Sequence, residues 1–208
     1  MTIFDLDGTL IDSNGVWLQI DLNFLAQRNL PYTRAYSEYV SHAPYRDAAA
    51  YTKAFFNLPE SVDTIVQIWS DMALEAYSST IELKPGVLPY LTALRDKGET
   101  MAIATSCMDH LCDAVLEQTG IRSFFSSVTT VRETKLGKRS PELFLLAAQK
   151  ERADPKDCIV YEDSPVACQS ARLADMQVVG VYDPFFAKEE PEMRRICQTY
   201  IYSFFDLL

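Results

Sequence analysis

Short apolar runs recur along this chain and alternate with longer amphipathic stretches. The first run, residues 1–4, ends in acidic residues and a glycine turn and reads as a buried strand. Runs at 100–105, 158–161 and 177–181 have the same character, and weaker ones lie at 127–131 and 199–202. Between them, residues 86–97, 109–119, 141–151 and 164–174 carry apolar positions at helical spacing. Strands that are apolar on both faces and alternate with helices predict a parallel sheet covered by helices on both sides. The expected fold class is α/β, with a doubly wound, Rossmann-like core. In such sheets functional residues gather at the carboxyl ends of the strands.

Residues 12–83 break this rhythm, with several helical stretches and no convincing strand. Within 60–79, Val62, Ile65, Val66, Trp69, Met72, Ala73 and Ala76 follow the i, i+3, i+4, i+7 pattern, and Pro59-Glu60 suit a helix start. Residues 14–27 and 48–56 predict two more helices, with Leu30-Pro31 and Asn57-Leu58-Pro59 as breaks. A helical block inserted after the first strand reads as an α-helical cap domain. The expected division is a catalytic core of residues 1–13 and 83–208 and a cap of residues 14–82. The cap aromatics Trp17, Phe24, Tyr51, Phe55 and Trp69 are expected to pack its interior.

Composition narrows the partners. A chain of 208 residues holds one elaborated domain or two small ones, and 48% hydrophobic residues suit a packed globule. A formal charge of -10 argues against nucleic acid, whose phosphates would be repelled. It also means that an anionic substrate needs a local positive pocket or a metal. The five cysteines (Cys107, Cys112, Cys158, Cys168 and Cys197) are odd in number and form no Cys-x-x-Cys pair. Neither a disulfide framework nor a thiolate zinc site is indicated, and a reducing cytosol fits. No leader and no run of roughly 18 apolar residues is evident, so no membrane partner is expected. The expectation is a cytoplasmic monomer acting on a small molecule.

Four polar clusters fall where strands end. Asp5 and Asp7 follow the first, Thr105-Ser106 the run at 100–105, and Glu162-Asp163 the run at 158–161, while Lys138 precedes the helix at 141–151. In a parallel sheet all four meet at one rim. Carboxylates offer magnesium its preferred hard oxygen ligands. Hydroxyls and free amides at a helix N-terminus suit a phosphate, and lysine adds a compact positive charge. An aspartate nucleophile that forms an aspartyl-phosphate splits a hard displacement into two easier ones.

With these residues in order, the chain resembles the haloacid dehalogenase-like superfamily. Asp5-Leu6-Asp7-Gly8-Thr9 is similar to its first motif and Thr105 in Met101-Ala102-Ile103-Ala104-Thr105-Ser106 to its second. Lys138 in Gly137-Lys138-Arg139-Ser140-Pro141 is similar to the third, and Glu162-Asp163-Ser164 to the fourth. The branch it most resembles contains phosphoglycolate phosphatases and β-phosphoglucomutases. The resemblance implies Asp5 as nucleophile and Asp7 as acid and base. It implies a magnesium ion held by the Asp5 carboxylate, the Asp7 main-chain carbonyl and Asp163, with Glu162 in support. Thr105, the Ser106 amide and Lys138 would hold the phosphoryl oxygens. Two departures bear on loop shape and helix packing: Arg139 stands where proline is common, and Ala167-Cys168 where glycine is usual.

The cap is less legible. His42, Tyr45 and Arg46 fall in a polar stretch, 41–47, where relatives place a substrate-contacting loop. Arg46 is a candidate contact for a second anionic or hydroxyl-rich part of the substrate, or else an exposed arginine paired with an acid. His42 and His110 read as ordinary polar residues, and Cys107 as packing. The expected activity is magnesium-dependent hydrolysis of a small phosphorylated metabolite. The alternatives are a phosphosugar mutase and a non-catalytic binding protein on the same fold.

Overall fold

The computed structural model of the protein describes every residue except Ser41, His42 and Pro44. In chain order its elements are β1 (Thr2–Phe4), α1 (Val16–Ala26), α2 (Arg34–Val40), α3 (Tyr45–Phe56), α4 (Val62–Ser79) and α5 (Val87–Asp96). There follow β2 (Met101–Thr105), α6 (Asp109–Gln118), β3 (Ser127–Thr130), α7 (Glu142–Lys150) and β4 (Ile159–Glu162). The chain ends with α8 (Pro165–Leu173), β5 (Gln177–Val181), α9 (Glu190–Ile196) and β6 (Thr199–Ile201). It divides into two compact units, Met1–Asn14 with Ser78–Leu208, and Gly15–Tyr77.

The first unit is a doubly wound α/β sheet. Its strands are all parallel in the order β3-β2-β1-β4-β5-β6. Parallel neighbours need crossover connections, and helices supply them. The strand order runs outward from β1 to β3, returns to β4, and runs the other way. The reversal falls between β1 and β4, and the crevice outside their carboxyl ends is where such sheets bind ligands. Alternation along β1 sends Ile3 into a cluster with Ala104, Phe144, Val160, Cys168 and Val178. Phe4 points to the opposite face, stacking on Tyr161 at 4.8 Å and meeting Tyr90, Phe125 and Phe204. Burying a ring such as Phe4 contributes about 1.5–3 kcal/mol, so a three-residue strand is pinned from both sides. Ala167, Cys168, Ser170 and Ala171 are the buried residues of α8, so small side chains fill the place where glycine is usual.

The second unit is all helical. Of the apolar positions in α4, burial selects Ile65, Trp69, Ala73 and Tyr77, one stripe at a spacing of four. Phe24 of α1 meets Trp69 edge-on at 5.7 Å. Tyr36 of α2 is fully buried; its hydroxyl lies 2.9 Å from Thr52 Oγ1, and its ring lies against Tyr32, Tyr51, Phe55 and Phe56. Phe24 and Trp69 are interior as expected, whereas Phe55 is exposed. Helix α2 has no counterpart in the sequence reading, because seven residues are too few for a helical period to register. Helix α9, of the same length, leaves no helical period in the sequence for the same reason. Helix α3 begins at Tyr45, so Tyr45 and Arg46 lie in its first turn rather than in a polar break. The run Ala48-Ala49-Ala50 supports helix there. Among the described residues, no helix is long and apolar enough to cross a membrane.

Candidate active site

The N–H of Asp5 donates to the Tyr161 carbonyl at 2.9 Å, extending the pairing of β1 with β4 one residue beyond the strand. Asp5 therefore stands against the two residues that follow Tyr161. Glu162 closes β4 and Asp163 leads into α8. Asp5, Glu162 and Asp163 are all buried, and each offers a carboxylate oxygen within 4.8 Å of the others. Lys138 enters this group from the single turn Gly137–Arg139. Its ammonium pairs with Asp5 Oδ1 and with Glu162 Oε2, the latter at 2.7 Å.

The electrostatics of this set are unbalanced. Three carboxylates face one ammonium; with all three ionised the set would carry an excess of two negative charges, which one divalent cation would match. Burial pushes the Asp5 carboxyl up to about 7; Glu162 adds to the shift and Lys138 opposes it. Burial, then Glu162 and Asp5, hold Asp163 well above its ordinary value. Burial also works against the charge on Lys138, but Asp5 and Glu162 outweigh it and raise its pKa. Oxygen-only donors, buried and short of positive charge, are what magnesium takes. The residues present therefore fit that ion.

The loop after Asp5 is a tight knot. Leu10 and Ile11 donate their amides to the Leu6 carbonyl at 2.9 and 3.1 Å, and Gly8 donates its own to Ile11 at 3.0 Å. Gly8 has φ +75°, and a Cβ there would overlap Asp163 Oδ2 and Asn14 Nδ2. Only glycine meets both conditions. Three neighbours hold the acids: Thr9 Oγ1 donates to Asp5 Oδ2 at 3.2 Å, Ser13 Oγ to Asp7 Oδ1 at 2.7 Å, and Asn14 Nδ2 to Asp163 Oδ2 at 2.8 Å. These three carry no role that the sequence alone makes legible. The polar triplet Asp12-Ser13-Asn14, directly after buried Leu10-Ile11, was the signal available.

Thr105 ends β2, which pairs with β1 so that Phe4 stands opposite Ile103. The Thr105 hydroxyl is buried and accepts the Cys107 amide at 3.0 Å, which leaves its own proton to donate. Ser106 is exposed in the loop between β2 and α6. Burial, with Asp7 nearby, raises the Cys107 thiol far above its usual range, so it stays protonated and packs. His110 is exposed. A cavity of about 440 Å³ beside α6 and β3, with Asp109, Thr130 and Arg132 in its wall, includes none of the expected site residues.

Buried Asp5, Glu162 and Asp163 and half-buried Lys138 are thus brought into one group, with Asp7 and Thr105 at the same rim. Arg46 belongs to the helical unit, where it pairs with Asp63 at 2.7 Å on the exposed side. Tyr45 beside it meets Trp17 and Trp69. His42 lies outside the described residues.

Residues 2–181 match the family described as haloacid dehalogenase-like hydrolase. The chain is 23% identical over 180 residues to the phosphorylated carbohydrates phosphatase of Thermotoga maritima, covering 86% of this chain and 83% of that protein. It is 27% identical over 181 residues to the fructose-1-phosphate phosphatase YqaB of Escherichia coli (strain K12), covering 86% and 94%. Among solved structures, a Thermotoga maritima protein put forward as a β-phosphoglucomutase superposes with a TM-score of 0.86 at 20% identity, covering 96% of this chain and 93% of that one.

Proposed function

This chain belongs to the haloacid dehalogenase-like hydrolase family, and we propose that it hydrolyses the phosphate monoester of a small metabolite, a sugar phosphate, through an aspartyl-phosphate on Asp5. The observation that carries this reading is the placement of Asp5, buried at the end of β1 between Lys138 and two further carboxylates. The names of the similar phosphatases support the sugar class.

Asp5 attacks phosphorus through a carboxylate oxygen as the bond from phosphorus to the leaving oxygen breaks. Asp7 gives that oxygen a proton. In the second half Asp7 takes a proton from water, which attacks the aspartyl-phosphate, frees inorganic phosphate and restores the Asp5 carboxylate. The Ser13 hydroxyl aims the Asp7 carboxylate, and Thr9 does the same for Asp5. Thr105, the Ser106 amide and Lys138 hold the equatorial oxygens, where the charge of the transferring group is spread. Asp5, the Asp7 carbonyl and Asp163 would hold magnesium, with Glu162 in support by fixing Lys138. Bound there, that ion would supply positive charge to offset the negative charge of the transferring group.

The test is phosphate release by the full chain from a panel of sugar phosphates, with magnesium and with a chelator. Release that needs magnesium, together with a hydroxylamine-labile phosphoryl group on Asp5, is expected. Conversion of a hexose 1-phosphate to its 6-phosphate without free phosphate would replace hydrolysis by mutase chemistry. A folded protein that releases none across the panel would refute the enzyme reading.

A further inference from the structure

Lys84 follows the last helix of the insert and precedes Pro85-Gly86, a position at which nothing in the motifs asks for a charge. Its side chain is nonetheless only 10% exposed, against an Asp183 that is 2% exposed. A lysine ammonium has three protons to donate. Here each has one acceptor: the Gly8 carbonyl at 2.6 Å, the Tyr182 carbonyl at 2.6 Å, and Asp183 Oδ2 at 3.0 Å. The other Asp183 oxygen is occupied by the Phe185 amide at 2.9 Å. A lysine serving only an ion pair needs the carboxylate alone. This one spends two protons on main-chain carbonyls, one of them in the loop that carries Asp5 and Asp7.

Gly8 is the least restrained residue type, at a point of that loop where a Cβ would overlap two neighbouring side chains. Its N–H is held by the Ile11 carbonyl and its C=O by Lys84, so the peptide groups on both sides are fixed. The main chain of Lys84 is itself anchored, its amide donating to Leu10 at 2.9 Å, and Ile11 forms a bridge to Leu83. With both flanking peptides held, the Asp7–Gly8 peptide plane, and with it the Asp7 carbonyl, has one orientation.

We propose that Lys84, seated on Asp183, is a positioning residue that locks the Gly8 peptide and so aims the Asp7 carbonyl and the Asp5–Asp7 segment; this rests on the active-site reading above. The lock acts through the main chain and touches neither substrate nor the reacting atoms.

Lys84→Met alone strands a buried carboxylate and risks misfolding. The working variant is therefore Lys84→Met/Asp183→Asn, which leaves no buried unpaired charge and keeps an oxygen for the Phe185 amide. Asp183→Asn alone removes the ion pair but keeps the Gly8 and Tyr182 carbonyls as acceptors for the Lys84 ammonium, and is the control. Three quantities are measured on the full chain: hydrogen exchange of the Gly8 amide by NMR, magnesium affinity by calorimetry, and kcat and KM on an aryl phosphate. In the double variant the Gly8 amide should exchange at least tenfold faster than in the control. Magnesium affinity and kcat should each fall about 10–100-fold, the usual scale for groups that orient a metal's ligands. KM should move less than kcat. A purely structural role would lower the melting temperature of both variants alike and leave exchange at Gly8, metal affinity and kcat equal in the two. That result would overturn the lock. If the wild-type chain shows no magnesium-dependent activity, the proposed function falls, while Gly8 exchange still decides whether Lys84 restrains the loop.

Discussion

Replacing Gly8 by alanine adds one methyl group where the loop that carries Asp5 and Asp7 crosses the one that carries Asp163. Two costs follow from the geometry. The φ of +75° is left-handed, which costs an L-residue about 1–2 kcal/mol. The methyl would also overlap Asp163 Oδ2 and Asn14 Nδ2 and lie 2.8 Å from Asp163 Cγ. Carbon atoms rest about 3.5–4.0 Å apart, so the Asp163 carboxylate must retreat by roughly 1 Å. Its bond from Asn14 breaks as it does so, and a hydrogen bond to a charged group is worth about 1.5–3 kcal/mol. The expected loss of stability is about 3 kcal/mol, or a fall of roughly 6–12 °C in Tm for a chain of this size. The loss of activity should be out of proportion to that. A displacement of about 1 Å in a positioned group costs around 100-fold in rate. Calorimetric melting alongside magnesium-dependent hydrolysis of an aryl phosphate separates the two effects. A folded Gly8→Ala protein with kcat/KM within threefold of wild type would show that Asp163 does not need its present position, and the metal assignment would go with it.

Asp5→Asn should remove turnover by about 10⁴-fold or more, as for the loss of other covalent nucleophiles, while circular dichroism and melting stay close to wild type; retained turnover would withdraw Asp5 as nucleophile. Arg46→Ala should change stability by no more than about 0.5 kcal/mol, since its pair with Asp63 is exposed. If Arg46 contacts the leaving group, kcat/KM on a sugar phosphate falls while that on an aryl phosphate does not, and equal losses on both would exclude it. Burial raises the Asp21 carboxyl to about 6, with a hydrogen bond from Tyr36 opposing, so the folded state holds this proton more tightly than the unfolded chain. The penalty for ionising it is absent below about pH 4, grows to about pH 6 and is full above; allowing for partial exposure it is about 1 kcal/mol. Asp21→Asn should therefore raise stability at pH 7.5 by that amount and flatten the slope between pH 4 and 6 in urea melts, and an unchanged slope would remove the assignment.

What could be read from the sequence divides along physical lines. Apolar runs at 100–105, 158–161 and 177–181 are legible because a strand covered on both faces has no polar alternation to dilute it, and the structure places β2, β4 and β5 there. Helix α4 is legible because eighteen residues give its stripe five turns to repeat. Helices α2 and α9 offer two turns each and bury one residue apiece, Tyr36 and Met193, which leaves no period to detect. Tyr36 is held by rings from four other positions, three of which, Tyr51, Phe55 and Phe56, lie beyond any local window.

The candidate site divides in the same way. Asp5, Lys138, Glu162 and Asp163 could be found because a parallel sheet has one carboxyl rim, so position along the chain already implies position in space. The groups that aim them could not. Asn14 reaches Asp163 across 149 positions and Lys84 reaches Gly8 across 76, and neither residue type signals its destination. Lys84 shows why this matters. In sequence it is one of 19 basic residues on an acidic chain and reads as solvated surface. In the fold its three protons are matched to three acceptors, two of which exist only because the loops after β1 and β5 end side by side. Chemistry-bearing residues are thus written in motifs, whereas the residues that hold them to within an ångström are written in the topology. A variant series confined to the motifs would test the reaction and leave its precision unexamined; Gly8, Asn14 and the Lys84–Asp183 pair are where that precision is open to measurement.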